Sequence, residues 1–93
     1  PEMHPRPQVV RERYSALRQW RRQVAAERGV EPDVVLSNAT LLALAERNPH
    51  ALDDLERIPG LGPWKRSTYG PAILEVLRQM APAQQRPARK RET

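Results

Sequence analysis

The sequence predicts an all-α domain, a compact bundle of four to five short helices. Apolar residues recur every three or four positions in four segments, which start at Val9, Asn38, Asn48 and Pro63. Prolines and glycines separate these segments, as is typical of connections between helices. With 93 residues, the chain is long enough for one domain with a small core and too short for a deep catalytic cleft.

The first segment predicts a long helix that begins at Val9 and ends before Gly29, a residue suited to a C-terminal cap. At about 100° per residue, its apolar side chains share one face. They belong to Val10, Leu17, Trp20 and Val24. Arg11, Arg18 and Arg22 fall on a separate stripe without an acidic residue, which we call the arginine stripe. Such a stripe is typical of phosphate binding, although an ordinary solvated helix face has the same pattern.

Shorter elements are predicted after this helix. Residues 30–36 form a connector in which Val34-Val35-Leu36 is too short for a strand in an otherwise helical chain and Pro32 disfavours helix at the residue before it, so we expect an irregular or 3₁₀ segment. Ser37 or Asn38 is expected to cap a second helix that ends near Arg47.

Asn48-Pro49 is expected to begin a third helix, with Leu52, Leu55 and Ile58 facing the core. The outer side of this helix is acidic and should avoid nucleic acid. Its acidic residues are Asp53, Asp54 and Glu56.

The fourth helix is predicted from Pro63 to about Met80. Gly70-Pro71 is expected to interrupt it, because proline removes a helical hydrogen bond, and Gly70 is expected to let another helix come close. Its buried face is expected to consist of Tyr69, Ile73, Val76, Leu77 and Met80.

The turn Gly60-Leu61-Gly62 is the most informative part of the sequence. Both glycines are expected to allow positive φ and the close approach of another molecule. The following helix begins with unpaired N–H groups and a positive dipole end, and Lys65 and Arg66 lie in its first turn. This combination indicates a helix–hairpin–helix-like element that binds a nucleic-acid phosphate. The other interpretation is a plain turn in which Gly60 caps the preceding helix.

Trp64 lies about 140° from Tyr69 around the fourth helix, so we expect it to be at least partly exposed. An exposed tryptophan beside Lys65 and Arg66 could stack on a base. Alternatively, the indole folds back and closes the end of the core.

The composition excludes several classes of site. The chain has no cysteine and two histidines, so neither a thiolate metal site nor a zinc or di-iron centre is expected. No catalytic constellation, phosphate-binding Walker loop or cofactor motif is present. No apolar run approaches the length of a membrane span, and no signal peptide is recognisable, so a cytoplasmic location is expected.

The net charge of +5 is unevenly distributed. Residues 9–80 contain eleven Lys/Arg and nine Asp/Glu, whereas residues 81–93 contain four Lys/Arg and one acid. We therefore expect an extended or disordered leader over 1–8, a helical domain over 9–81 and a basic, disordered tail over 82–93. The first residue is a proline, which suggests a fragment of a longer protein.

A set of residues between 9 and 80 has the order and spacing of a known family. The set comprises Leu17-Arg18-x-Trp20-Arg21, Ala25, Gly29-Val30, Pro32, Val34-Val35, Thr40-Leu41, Ala45, Pro49, Leu52, Leu55, Ile58-x-Gly60-x-Gly62, Lys65, Tyr69-Gly70 and Ile73-Leu74. In these residues the chain resembles the HRDC domain, the helicase-and-ribonuclease-D C-terminal module, and most of all that of a bacterial RecQ-type DNA helicase. The resemblance implies a bundle of about five short helices.

The resemblance also implies a non-catalytic role in an ATP-dependent DNA helicase of replication, recombination or repair. The domain would be a monomer that binds single-stranded or partial-duplex DNA or contacts the helicase core. It would be located in a bacterial cytoplasm and associated with the nucleoid. Bacterial RecQ-type domains often carry Pro-Pro-Tyr in the connector, where this chain has Glu31-Pro32-Asp33. The aromatic that can help bind single strands is therefore absent, and repulsion from two acids could move binding to the arginine stripe and the hairpin.

Two other functions remain open. The same module occurs in ribonuclease D-type exonucleases, where its ligand would be structured RNA. Alternatively, the chain is a protein-interaction module with negligible DNA binding, which docks through its acidic residues. These are Asp33, Asp53, Asp54 and Glu56.

Overall fold

The computed structural model describes residues 7–80, which form five helical elements and contain no strand. Four are α-helices, α1 (Gln8–Arg28), α2 (Pro32–Val35), α3 (Asn38–Arg47) and α4 (Pro63–Gln79), and one is a 3₁₀ helix, η1 (Leu52–Arg57). The predicted all-α fold is confirmed. Of the predicted leader only Pro7 and Gln8 are described, and the predicted tail of 82–93 lies outside the described residues.

The other elements pack around α1, which contacts α2, α3 and α4, while η1 packs against α4. Helix α1 ends where predicted, because Gly29 adopts φ +71° and donates its N–H to carbonyls of the last turn. The core takes apolar side chains from every element. Its largest fully buried side chains are those of Leu17, Val35, Leu36, Leu41, Leu44, Leu55 and Ile73.

Two arginines of α1 point into this bundle. The Nη1 of Arg13 donates to the carbonyl of Ala45 at 2.9 Å, and the Nη1 of Arg21 donates to the carbonyl of Leu36 at 2.8 Å. These carbonyls lie at the C-terminal ends of α3 and α2, where the helix itself supplies no N–H partner. Arg21 is only 8% exposed. Both side chains therefore hold helix ends against α1.

The connector between α1 and α3 differs from the prediction. Pro32–Val35 form one turn of α-helix, not an irregular or 3₁₀ segment. Pro32 occupies the first helical position, where its missing N–H costs no hydrogen bond, and Val35 is buried. Ser37 then caps α3, because its side-chain oxygen accepts the N–H of Thr40 at 3.1 Å.

The prediction that Asn48 begins the third helix is wrong. Asn48 ends α3 in the left-handed conformation, at φ +48°, and donates its N–H to a carbonyl of the last turn. The next element, η1, starts only at Leu52. Its start is capped by the carboxylate of Asp54, which accepts the N–H groups of His50 and Ala51 at 3.0 and 3.1 Å.

Gly70 lies where α4 meets η1. A Cβ at Gly70 would be 3.0 Å from methyl carbons of both Leu52 and Leu55, so the predicted close approach is confirmed. The helical backbone continues through Pro71, so the predicted interruption is wrong; Pro71 is exposed, and water can reach the carbonyl that lacks a donor. The prediction that Leu52 faces the core is wrong, because its side chain is 50% exposed. Leu52 is the first residue of η1, and only one of its methyl groups reaches Gly70.

Candidate nucleic-acid interface

The hairpin before α4 is a β-turn built on Pro59 and Gly60. The N–H of Leu61 donates to the carbonyl of Ile58 at 3.3 Å, and Gly60 has φ +83° at the third position of the turn. Proline followed by a residue of positive φ is typical of a type II turn. The positive φ predicted for Gly60 is therefore confirmed, and Gly60 belongs to a separate turn rather than capping η1, whose C-cap is Ile58.

Thr40 of α3 holds this turn in place. Its Oγ1 donates to the carbonyl of Pro59 at 2.9 Å, and a Cβ at Gly60 would lie only 2.2 Å from the same oxygen. Gly62 differs from the prediction: its φ is −72°, and a Cβ there would meet no atom within 4 Å. Gly62 is the N-cap of α4, and its carbonyl accepts the N–H of Arg66 at 2.8 Å. Gly60 is therefore required by its packing against Thr40, whereas Gly62 leaves the N-terminal end of α4 without a side chain in front of it.

The start of α4 has the features of an anion site. No side chain caps it with a hydrogen bond, and its first turn contains no acidic residue. Lys65 and Arg66 are both half-buried in this turn. The Nζ of Lys65 donates to the carbonyl of Val34 in α2 at 3.3 Å, a long hydrogen bond at the protein surface. The positive end of the helix and two cations therefore occupy one turn.

Trp64 belongs to a cluster that joins α4 to the end of α1. Its ring meets that of Tyr69 edge-to-face at a centroid distance of 5.7 Å, and Tyr69 meets Trp20 in the same way at 5.7 Å. The guanidinium carbon of Arg28 lies 5.7 Å from the centroid of Trp64, and its Nη1 donates to the hydroxyl of Tyr69. We call Trp20, Arg28, Trp64 and Tyr69 the Trp64 cluster. Trp64 is 59% exposed, so the predicted exposure is confirmed.

The arginine stripe lies elsewhere on α1. Arg11, Arg18 and Arg22 are all exposed, and at 1.5 Å per residue they span about 16 Å. At about 100° per residue, Trp20 projects roughly 180–200° away from each of them. Trp20 and Arg28 contact Tyr69 of α4, and Arg28 projects roughly 80–120° away from the stripe. The stripe therefore faces away from the hairpin, and the eight predicted site residues form two separate surfaces.

Comparison with known proteins identifies the family. The family model described as the HRDC domain matches residues 10–77, most of the chain. The chain belongs to the HRDC family. This HRDC domain is 39% identical over 70 residues to the ATP-dependent DNA helicase RecQ of Bacillus subtilis, covering 75% of the chain and 12% of that helicase. It is also 39% identical over 62 residues to the ATP-dependent DNA helicase UvrD2 of Mycobacterium tuberculosis, covering 67% of the chain and 9% of that protein.

A solved structure shares the fold. The third HRDC domain of D. radiodurans RecQ superposes with a TM-score of 0.73 at 40% identity, covering 75% of this chain and 92% of that one. The chain therefore has the fold of the HRDC domain, a family of non-catalytic accessory domains that RecQ-type helicases carry. Among residues 7–80, no helix has both the length and the apolar character needed to cross a membrane. The same residues contain no group of three or more His, Cys, Asp or Glu that could hold a metal ion.

The four acids considered for protein docking have different environments. Backbone hydrogen bonds from His50 and Ala51 hold the pKa of Asp54 below its ordinary value, so this carboxylate serves as a cap. Asp53 and Glu56 are exposed on η1. Asp33 is exposed and precedes Val34, whose carbonyl accepts the hydrogen bond from Lys65. One acid therefore lies in the chain next to the residue that contacts the start of α4.

Arg28 is the site residue that the sequence did not reveal. Its guanidinium lies on Trp64, 36 positions further along the chain, and no periodic pattern reports a contact between the end of one helix and the start of another. The sequence contains two partial signals: Arg28 continues the three- and four-residue spacing of Arg21 and Val24, and the cap at Gly29 places it in the last turn of α1.

Proposed function

We propose that this HRDC domain is an auxiliary nucleic-acid-binding domain of a RecQ-type, ATP-dependent DNA helicase. It would bind single-stranded or partial-duplex DNA and so tune which DNA structures its parent enzyme engages in replication, recombination or repair. It would act as a monomer beside the helicase core, in the bacterial cytoplasm with the nucleoid. The similarity to RecQ and UvrD2, both named as DNA helicases, supports DNA over RNA as the ligand.

The observation that carries this proposal is the open start of α4. A phosphate placed there meets the first N–H groups of the helix, with Lys65 and Arg66 in the same turn. Lys65 gives up only a long surface hydrogen bond to Val34 when it turns to a phosphate. Gly62 carries no side chain that would obstruct the ligand. Binding at this surface should be weak to moderate and should decrease with salt.

The arginine stripe would act as a second phosphate contact. Its length of about 16 Å corresponds to roughly five steps of 3.4 Å along one DNA strand. Because the stripe faces away from the hairpin, one straight duplex would not contact both surfaces. DNA that bends around α1, or a single strand and a duplex arm of one junction, could do so. Partial duplexes are therefore the ligands that use both surfaces.

The test is a titration of labelled single-stranded, duplex and partial-duplex DNA at two salt concentrations. Lys65→Ala should weaken binding and lower the salt slope by about one unit. Arg78→Gln removes the same charge about 20 Å further along α4 and serves as the matched control. Equal binding of Lys65→Ala and the wild type at both salt concentrations would reject the hairpin as the phosphate site. A structured RNA in the same series tests the ribonuclease D alternative, which requires that RNA binds more tightly than DNA.

A protein-interaction module is the second candidate function. It is favoured by the exposed apolar side chain of Leu52, which lies beside the exposed Asp53 on η1, and by the small net charge of residues 9–80. In that case the domain would bind no DNA even at low salt, and Asp53→Lys would abolish its binding to the helicase core.

A further inference from the structure

Trp64 is the most exposed large apolar side chain that the structure describes. It is also held in place, since Tyr69 packs edge-to-face against it and the guanidinium of Arg28 lies on its ring system. Arg28 is itself fixed by its hydrogen bond to the Tyr69 hydroxyl. A side chain held in this way loses little conformational freedom when a ligand binds. The exposed indole is therefore prepared to bind a flat partner.

The charges around Trp64 define the chemistry of that partner. Lys65 and Arg66 follow it directly and Arg28 touches it, while the first turn of α4 contains no acid. These three cations outnumber Asp33, the acid that precedes the Lys65 partner Val34. A flat group that is accompanied by negative charge fits these surroundings, and a nucleotide has both features. The bases of an intact duplex are already stacked on one another, so only an unpaired or terminal base offers its face to the indole.

We propose that Trp64 and Arg28 form a binding site for one unpaired nucleobase, whose adjoining phosphate lies on Lys65 and the start of α4. The inference rests on the proposed function and names the part of the DNA that the hairpin selects. Trp64 stacks on the base, and Arg28 is a positioning residue that keeps the indole upright against Tyr69.

The inference predicts that changes at the base site lower the affinity for single strands and leave the affinity for duplexes unchanged. Trp64→Ala should weaken binding to a single-stranded oligothymidine about 5- to 150-fold, the range that one stacked base contributes, and should leave the affinity for a relaxed circular duplex, which has neither a loop nor an end, within twofold. Trp64→Phe should restore most of the affinity. Arg28→Lys keeps the charge and loses the planar contact with Trp64, so it should lower single-strand affinity without changing duplex affinity. Leu52→Ala, which shortens another exposed apolar side chain, is the control and should change neither affinity.

Fluorescence gives an independent readout. The chain has two tryptophans, and Trp20→Phe leaves Trp64 as the only one, so selective excitation of tryptophan reports on Trp64 alone. Oligothymidine should quench this emission in proportion to binding. Because Trp20 contacts Tyr69, the thermal unfolding of the Trp20→Phe variant is measured first. If Trp20→Phe does not fold, the Trp64→Ala titration decides the question.

Three outcomes separate the two proposals. Suppose first that Lys65→Ala weakens binding. If Trp64→Ala then leaves binding unchanged, or weakens the binding of single strands and duplexes equally, the base site is overturned and the phosphate site stands. If the wild type binds no DNA at low salt, both are overturned. If Trp64→Ala leaves DNA binding intact and abolishes binding to the helicase core, the cluster is a protein contact and the base site is overturned.

Discussion

Helix α1 carries six arginines, and the structure uses them in two different ways. Arg11, Arg18 and Arg22 form the exposed stripe. Arg13, Arg21 and Arg28 turn toward other elements, where they bind the carbonyls of Ala45 and Leu36 and the hydroxyl of Tyr69. The residue type and the helix are the same in both sets, and only the angular position differs. Because Arg13 and Arg21 are held against helix ends, the number of arginines overstates the positive charge that a nucleic acid could contact, whereas Arg28 stays exposed beside Trp64.

The largest expected effect separates two neighbouring arginines. Arg21→Ala should lower the free energy of unfolding by about 2–3 kcal/mol, because it leaves the buried carbonyl of Leu36 without a donor and removes a packed side chain. Arg22→Ala, one position along and exposed, should stay within about 0.5 kcal/mol of the wild type. Urea unfolding of both variants measures the difference. Equal stabilities would show that the inward arginines do not hold the helix ends.

Arg21→Met sharpens the same experiment. It keeps much of the buried apolar stem and removes the charge, so it should cost less than Arg21→Ala. A methionine variant that is less stable than the alanine variant would contradict the packing part of the explanation.

The two glycines of the hairpin differ in the same way as the two sets of arginines: Gly60 packs against Thr40, and a Cβ at Gly62 would meet no atom within 4 Å. Gly60→Ala should cost about 2 kcal/mol or slightly more, because alanine is strained at φ +83° and its Cβ would collide with Thr40. Gly62→Ala meets no atom and has φ −72°, so it should be neutral or stabilise by about 0.5 kcal/mol. Thermal melting of the two variants is the measurement. A larger loss at Gly62 would mean that the turn has been misinterpreted.

The stripe should affect binding and leave stability unchanged. Arg18→Ala and Arg22→Ala should each lower the salt slope of duplex binding by about one unit, with melting temperatures close to that of the wild type. Arg47→Ala, an exposed charge on α3, is the control. Unchanged salt slopes in both stripe variants would show that the outward arginines are solvent-exposed charges without a DNA contact.

The smallest effect concerns pH. The pKa of Asp54 lies below its ordinary value of 3.8, chiefly because its carboxylate accepts the N–H of His50. Its stabilising effect is therefore present above pH 3.8 and is lost as the pH falls through the lowered pKa. The wild type should lose slightly more stability than Asp54→Asn between pH 5 and pH 2, roughly the range of carboxyl titration. Parallel pH profiles of the two proteins would show that the cap contributes nothing.

Much of the fold could be predicted because long helices repeat their pattern. Helices α1, α3 and α4 lie within a residue or two of their predicted bounds, since each contains several turns of apolar periodicity. The four-residue α2 is too short to show a period. Asn48 was assigned to the wrong helix because asparagine before proline suits the start of a helix as well as the end of one.

Candidate residues for the site could be named from the sequence, but their arrangement in space could not. The hairpin is visible in the sequence because glycine, proline and lysine occur close together. The contact of Arg28 with Trp64, and the separation of the stripe from the hairpin, depend on how α1 packs against α4. Such contacts join residues that are distant in the chain, and local patterns contain no information about them.

The most direct test of the central claim is an NMR titration of the ¹⁵N-labelled domain with a short oligothymidine at low salt. We predict chemical-shift changes at the indole N–H of Trp64 and at the backbone amides of Lys65 and Arg66, all of which weaken as salt is added. Changes confined to the acidic residues Asp53 and Glu56, or no change at any amide, would contradict the claim that this HRDC domain binds nucleic acid through the start of α4.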